Sequence, residues 1–497
     1  MALPIQYAIP ELMKLSDLDS ALPEGTQSKT VRVSPSNLSS IVSPTYTAPA
    51  ANTIMADSAF NSQNIQLDIP AGNSGSWIDT RQTTISFRVN YECLSAGATY
   101  RVAALPCLRG GAFSFFDGLQ VLSPQGSVLE SISELSLVYN ALTQLQMSNS
   151  DRDGASLGYG FFASGNDNVV KGHTLPILGD TSADLTGTSN VTFSYSYPLI
   201  SSVIGTGASK FFPIGNLQKL QLLITTTNIL PITLVTNTAG TAATFRVTIS
   251  DIVLNLQYVT LPPSANQMIE SSLHDGKYYL QGNTWRVAAS TLSAGTSGFN
   301  SIIAGVRGSS VKSVLYSFHE LSSLRSPYGK FDSKNPIAQT ICFNSASIRY
   351  PSLPLEALLH PARVQTELFR AVGAFNSPNL KSAGLPERFC RLPLGGDAQS
   401  LTANGATQDY YYTVQESVSG SAVTDLNKGQ SSFFFGVDTE SVNSQGILSG
   451  INMNSSQAFL ELNIAKSVTN AHTVFCMSCL DSIIIVDARS GQCEVRV

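Results

Sequence analysis

The chain has 497 residues, of which 43% are apolar and only 13% charged, and its net charge is −5 at pH 7. That length accommodates two or three domains with cores of their own, and the charged share is about half the usual one. There is no run of Lys or Arg to neutralise phosphates, which argues against direct, sequence-specific nucleic-acid binding; there is also no stretch of about 18 apolar residues, so no membrane span is expected.

Ser, Thr, Asn, Gln and Gly take the place of the missing charge. A neutral-polar surface meets neighbours at little desolvation cost, which suits an assembly subunit, although composition alone fits any large β-rich protein. The N-terminal stretch lacks the charged flank and continuous apolar core of a secretory leader, so the sequons at Asn37, Asn190 and Asn454 are expected to be bare. The seven cysteines, Cys93, Cys107, Cys342, Cys390, Cys476, Cys479 and Cys493, are odd in number and scattered. They point to reduced thiols and synthesis in the cytoplasm or nucleus.

Residues 1–57 carry Pro4, Pro10, Pro23, Pro35, Pro44 and Pro49. They read as an extended Pro-rich arm with at most one short helix near Glu11–Leu18. From residue 58 the apolar period is two. Ile65, Leu67 and Ile69 alternate with polar neighbours, as do Ile85, Phe87, Val89 and Tyr91, then Val191, Phe193, Tyr195 and Tyr197, then Leu220, Leu222 and Ile224. These are half-buried strands. A strand is also read at Asp117–Leu122. Ser131–Met147 instead places Ile132, Leu135, Val138, Leu142 and Leu145 at helical spacing. In Phe245–Tyr258 the apolar parity flips at Ser250–Asp251, which requires a bulge or bend.

Pro262 and Pro263 mark a boundary, giving a first domain over 58–263 and a second over 264–497. In the second, Lys277–Ala288, Val311–His319, Ile341–Tyr350, Asp409–Val414, Ser432–Val437, Ala458–Ile464, Thr473–Val486 and Cys493–Val497 read as strands, with a helix near Leu355–Val372. The expected fold is therefore all-β with minor helices: two tandem antiparallel eight-stranded jelly-roll sandwiches. An immunoglobulin-like pair does not fit, because each half is too long and no Cys–Trp–Cys spacing occurs.

Motifs that carry chemistry are sparse. Gly205–Lys210 lacks the order of a nucleotide-binding loop, and neither G-x-S-x-G nor H-E-x-x-H occurs. The five histidines, His173, His274, His319, His360 and His472, are not at ligand spacing. Cys476 and Cys479 form a CxxC inside an expected core strand, where buried free thiols are the better reading than a metal edge. Asn149, Asp151, Asp153 and Gly154 resemble the start of a calcium loop, but the position of the bidentate acid is Gly160. The runs Tyr410–Tyr412 and Phe433–Phe435 lack nearby cations for a base-stacking platform and read as strand core or intersubunit contact. No catalytic residue, cofactor-binding residue, metal ligand or cofactor is assigned, and no enzyme activity is expected. A two-domain carbohydrate- or receptor-binding protein remains the alternative; a β-sandwich glycosidase would need two facing carboxylates.

Several segments resemble the double jelly-roll major capsid proteins of icosahedral DNA viruses, the lineage of adenovirus hexons, virophages and Polinton-like viruses. In the first half these are Asn64–Pro70, Gly75–Asp79 leading into Thr84–Tyr91, Phe116–Val121 and Phe212–Leu217. In the second they are Val311–Leu315, Phe434–Glu440, Leu448–Asn452 and Asp481–Val497. The modest length favours the virophage and Polinton-like branch. The resemblance implies a structural protein of the virion. Two rolls per chain in a homotrimer would give six wedges of a pseudo-hexagonal capsomer, contacting neighbouring capsomers, a penton protein and minor capsid proteins. The arm would tie capsomers together or contact minor proteins beneath the shell.

Overall fold

In a computed structural model of the chain, the described residues are 23–48, 59–95, 111–148, 155–160, 189–208, 211–230, 243–321, 333–345, 348–373, 433–440, 450–454, 457–468 and 470–497, with Asp151 and Phe331 between them. The first half is built from β1 (Gln27–Val33), β2 (Ser40–Val42), β3 (Tyr46–Ala48), β4 (Asn64–Pro70), β5 (Ser76–Ser95), β6 (Phe116–Leu122), β7 (Val128–Ser133), helix α1 (Leu135–Gln146), β8 (Ser189–Pro198), β9 (Phe211–Phe212), β10 (Lys219–Thr226) and β11 (Ala243–Thr260). Helix α2 (Pro263–Ser271) leads into the second half: β12 (Lys277–Leu292), β13 (Gly298–Ile303), β14 (Val311–Glu320), β15 (Ala338–Ser345), β16 (Ile348–Glu356), helix α3 (Pro361–Ala371), β17 (Phe434–Asp438), β18 (Ala458–Ile464), β19 (His472–Asp487) and β20 (Cys493–Arg496).

Four antiparallel sheets result. The first half pairs β1-β11-β5-β8 against β4-β10-β6-β7, and the second pairs β12-β19-β14-β17 against β13-β18-β15-β16. Numbering the main strands of each half from one to eight gives 1-8-3-6 facing 2-7-4-5 both times. That order is a jelly roll, and each roll inserts its helix between strands five and six.

Core rows follow from side-chain alternation. Leu222 stands opposite Leu67 on one side and Val121 on the other, and Ile224 lies between Ile65 and Leu119; each is 0–1% exposed. Facing them, Phe87 sits edge-on to Phe115 and Phe116. The parity flip in β11 is a bulge: register shifts between Ser250 and Val253, and Asp251 takes φ 50°. The bulge lets Val247 and Ile249 on one side of it, and Ile252, Leu254 and Leu256 on the other, all be buried. In the second roll β14 and β19 are buried along nearly their whole length, because α3 and the first roll cover the outer face of their sheet.

Some expectations need correction. Residues 27–33, expected in the extended arm, form the first strand of the first roll and pair with β11 from Gln27↔Thr260 to Val33↔Leu254. Proline content hid this strand, whose own residues contain no proline. The helix expected from Ser131 starts at Leu135: residues 128–133 are strand β7, and Glu134, at φ 50°, breaks the chain between them. The second helix starts at Pro361, because Leu355 and Glu356 still pair with Ile341 and Thr340. The strand expected over Ile341–Tyr350 is two strands of a hairpin, and β13 carried too little alternation to be seen. Asp409–Val414 and the Glu11–Leu18 helix lie outside the described residues.

Candidate functional site

The chemistry-bearing motifs are not assembled into a site. Cys476 and Cys479 lie three apart on β19, so their side chains leave opposite faces of the strand and do not share a ligand. Burial pushes both thiols up to about 12, far from the range of a reactive or metal-binding thiolate. Phe433, Phe434 and Phe435 are buried in the second core. His319 is buried against Phe475 and Ser317, whereas His274 is an exposed residue of a turn. Asn149, Asp153, Tyr410–Tyr412 and His173 lie outside the described residues. Among the described residues no cluster of three His, Cys, Asp or Glu side chains could hold a metal ion, and no helix is long and apolar enough to cross a membrane.

The polar chemistry gathers instead at the seam between the rolls. Strand β7, at the edge of its sheet, carries Glu130 opposite Val121. Pro198 ends β8, and the next ten residues fold into a tight turn whose amides point inward. Ser201 Oγ accepts from the backbone N–H groups of Val203 and Ile204 at 3.1 and 3.3 Å and donates to Glu130 Oε2 at 2.5 Å. The Ser202 N–H donates to both carboxylate oxygens at 2.8 and 3.0 Å. From the second roll, Thr284 Oγ1 on β12 donates to Glu130 Oε1 at 2.7 Å. Beside it the Asn283 N–H donates to the Gly207 carbonyl at 2.7 Å.

Glu130 is 4% exposed, and every partner is neutral. Burial pushes its carboxyl above the ordinary value of 4.5, with the hydrogen bonds from Ser201, Ser202 and Thr284 opposing. Tyr139 on α1 anchors the turn, donating to the Pro198 carbonyl and accepting from the Ile200 N–H, both at 2.7 Å. Backbone approach here demands glycine. A Cβ on Gly207 would lie 2.4 Å from the Asn283 carbonyl oxygen, and one on Gly282 would lie 2.6 Å from that of Ser202.

Further contacts between described residues cross the seam. Trp77 of β5 meets Tyr278 of β12 edge-on, with centroids 5.4 Å apart. Gln146 at the end of α1 donates to the Val372 carbonyl beyond α3 at 3.2 Å. Strand β20, paired to β19, also touches β7.

A second buried polar group lies within the second roll. Lys312 reaches Glu440 at 3.1 Å and Asp481 at 3.8 Å, and Ser310 donates to Asp481 at 2.6 Å. Burial works against the charged lysine, but the two carboxylates outweigh it and raise its pKa; burial likewise raises Asp481. The group ties β14 to β19 and to the segment after β17. Glu130, Ser201, Ser202, Gly282 and Thr284 were not singled out by sequence, and Gly207 was read only within the Gly205–Lys210 stretch that lacks nucleotide-loop order, since residues drawn from three separate segments form no motif.

No protein-family model and no curated protein matches the chain. Solved structures do. A chain of the PBCV-1 virus capsid is similar with a TM-score of 0.51 at 8% identity, over 97% of this chain and 99% of that one. A chain of the Sputnik virophage is similar with a TM-score of 0.52 at 10% identity, over 90% and 89%. The Faustovirus major capsid protein is similar with a TM-score of 0.51 at 8% identity, over 94% and 92%. The likeness covers both halves in each case, and it shows that the fold is the double jelly roll of those proteins.

Proposed function

We infer, from one chain that is a double jelly roll over nearly the whole length of its structural neighbours, that this protein is the major capsid protein of an icosahedral DNA virus. The carrying observation is the doubling itself: the same eight-strand order occurs twice, each time with a helix between strands five and six. Three copies related by a threefold axis then present six similar wedges, enough to fill a hexagonal lattice position. A heterologous contact that closes after three steps generates such a ring. The role is structural rather than enzymatic, and the site of action is the virion.

The low charge supports this reading, since broad surfaces can be covered without burying unpaired ions. A permanent trimer of this kind should bury more than about 2,000 Å². The first roll ends at the Pro262–Pro263 pair, the second follows it, and the N-terminal part of the chain contacts neighbouring capsomers or minor proteins. Neighbouring capsomers and a penton protein are the other partners.

Size-exclusion chromatography with light scattering, followed by negative-stain imaging, tests the proposal. A trimer with a hexagonal outline is expected. A stable monomer that binds glycans would replace the capsid reading with that of a two-domain binding protein.

A further inference from the structure

Glu130 is the most costly group at the seam. An ionised carboxylate in a dry protein interior is strongly disfavoured unless a cation or enough donors replace its water. Here the donors are two hydroxyls and one backbone N–H, and among the described residues no cation bonds to the carboxylate. The turn 199–208 contains no titratable residue. The other strands in contact with β7 carry Asp117 on β6; Lys277, Tyr278, Tyr279 and Arg286 on β12; and Cys493, Glu494 and Arg496 on β20. Asp117 accepts from Ser136, Arg286 donates to the Arg307 carbonyl, and Arg496 is taken by Glu494. None of these residues compensates Glu130.

The placement gives this electrostatic feature a mechanical meaning. Oε1 takes the hydroxyl of the second roll, and the same carboxylate holds the turn of the first roll that contacts Asn283 through Gly207. A proton on Glu130 removes the buried charge while the Ser202 N–H keeps its acceptor. Thr284 Oγ1, engaged in no other side-chain hydrogen bond, is able to turn and accept the new O–H. Ser201 Oγ already accepts two N–H groups and keeps its present orientation.

We propose that Glu130 and Thr284 form a proton-controlled latch between the two jelly rolls, which holds them together more firmly when the carboxyl is protonated. The latch is independent of whether the chain builds a capsid and can be tested on the full chain in solution. The direction follows from linkage. The folded carboxyl binds its proton more tightly than the unfolded one, so the latch is complete below the unfolded value near 4.5 and weakens as pH climbs through the folded value.

The test compares the full chain with Glu130→Gln and Thr284→Val in guanidinium unfolding between pH 5 and 8. It also follows hydrogen exchange at Ser202 and Asn283, corrected for intrinsic rates. The Gln side chain carries no proton equilibrium and stands in for the neutral acid. The parent chain should lose ground against Glu130→Gln as pH rises, by up to about tenfold in the unfolding constant per pH unit within the window. Its two seam amides should open more at the alkaline end, and in Thr284→Val the Asn283 amide should lose that trend. A parent–Gln difference that stays constant across the range overturns the proposal. So does an Asn283 trend that survives in Thr284→Val, a result that also decides the matter should the Gln variant not fold.

Discussion

Replacing Gly207 with alanine tests whether the seam is set by backbone contact. The new Cβ would sit 2.4 Å from the Asn283 carbonyl oxygen, where ordinary contact begins at 3.4 Å. Both atoms belong to, or are fixed on, main chain, so no flexible side chain can yield. The rolls must part locally by about 1 Å, which forfeits up to about half of the van der Waals attraction at the contact. The Asn283–Gly207 hydrogen bond, 2.7 Å in the parent, then stretches beyond bonding range, at about 1 kcal/mol. With the strain of a crowded interior added, the expected loss is about 2–4 kcal/mol. Guanidinium unfolding followed by tryptophan emission reads it well, because Trp77 and Trp285 both lie near the seam and both are buried. The midpoint should fall with the slope little changed. A variant as stable as the parent would show that the turn 199–208 does not bear on β12, and the seam argument would fail with it.

Other substitutions probe each roll separately. Leu222→Ala should cost about 2–5 kcal/mol in chemical denaturation; Leu222→Asp and Phe87→Asp, which place a charge in the first core, should leave no soluble folded protein in size-exclusion chromatography. Tyr139→Phe removes a hydroxyl that donates to Pro198 and accepts from Ile200, an expected loss of about 1–3 kcal/mol in thermal or chemical unfolding. Cys476, Cys479 and Cys493, all pushed up to about 12 by burial, should resist a maleimide at pH 8 in the native chain and react once it is denatured; rapid native labelling by mass spectrometry would show that β19 is open.

The strands were legible where one face meets a core and the other meets solvent or a polar layer. Ile65, Leu67 and Ile69 and Leu220, Leu222 and Ile224 declare themselves by alternation, and even the β11 bulge was visible as a parity change at Ser250–Asp251. The signal failed for two physical reasons. Strand β1 has an exposed pattern with Val33 its one buried residue, so its hydrogen bonds to β11, not its side chains, place it. Strand β7 is followed so closely by α1 that Ile132 fits both a period of two and a helical stripe. Strands β14 and β19 are buried along nearly their whole length, where alternation is lost, yet their apolar runs still marked Val311–His319 and Thr473–Val486 as strands. The seam was illegible for a different reason: Glu130, Ser201, Gly207 and Thr284 are brought together only by the packing of one roll on the other.

That packing bears on what the chain can build. For three copies to mimic six wedges, the angle between the two rolls of a chain must be fixed before they meet, or the six positions would not be equivalent. The α2 connection alone would leave that angle to a short helix flanked by residues 261–262 and 272–276. The seam adds the Trp77–Tyr278 contact, the Gln146–Val372 hydrogen bond from α1 to the residue after α3, and the Glu130–Thr284 bond. Three contacts at separate points of the chain restrain the joint more than a single connection does. Two glycines, Gly207 and Gly282, bring main chain to main chain, and close-packed backbone yields less than side chains do. An uncompensated carboxylate at the centre makes this rigid joint sensitive to protons, so the shape of the chain and its response to pH meet at the same residue.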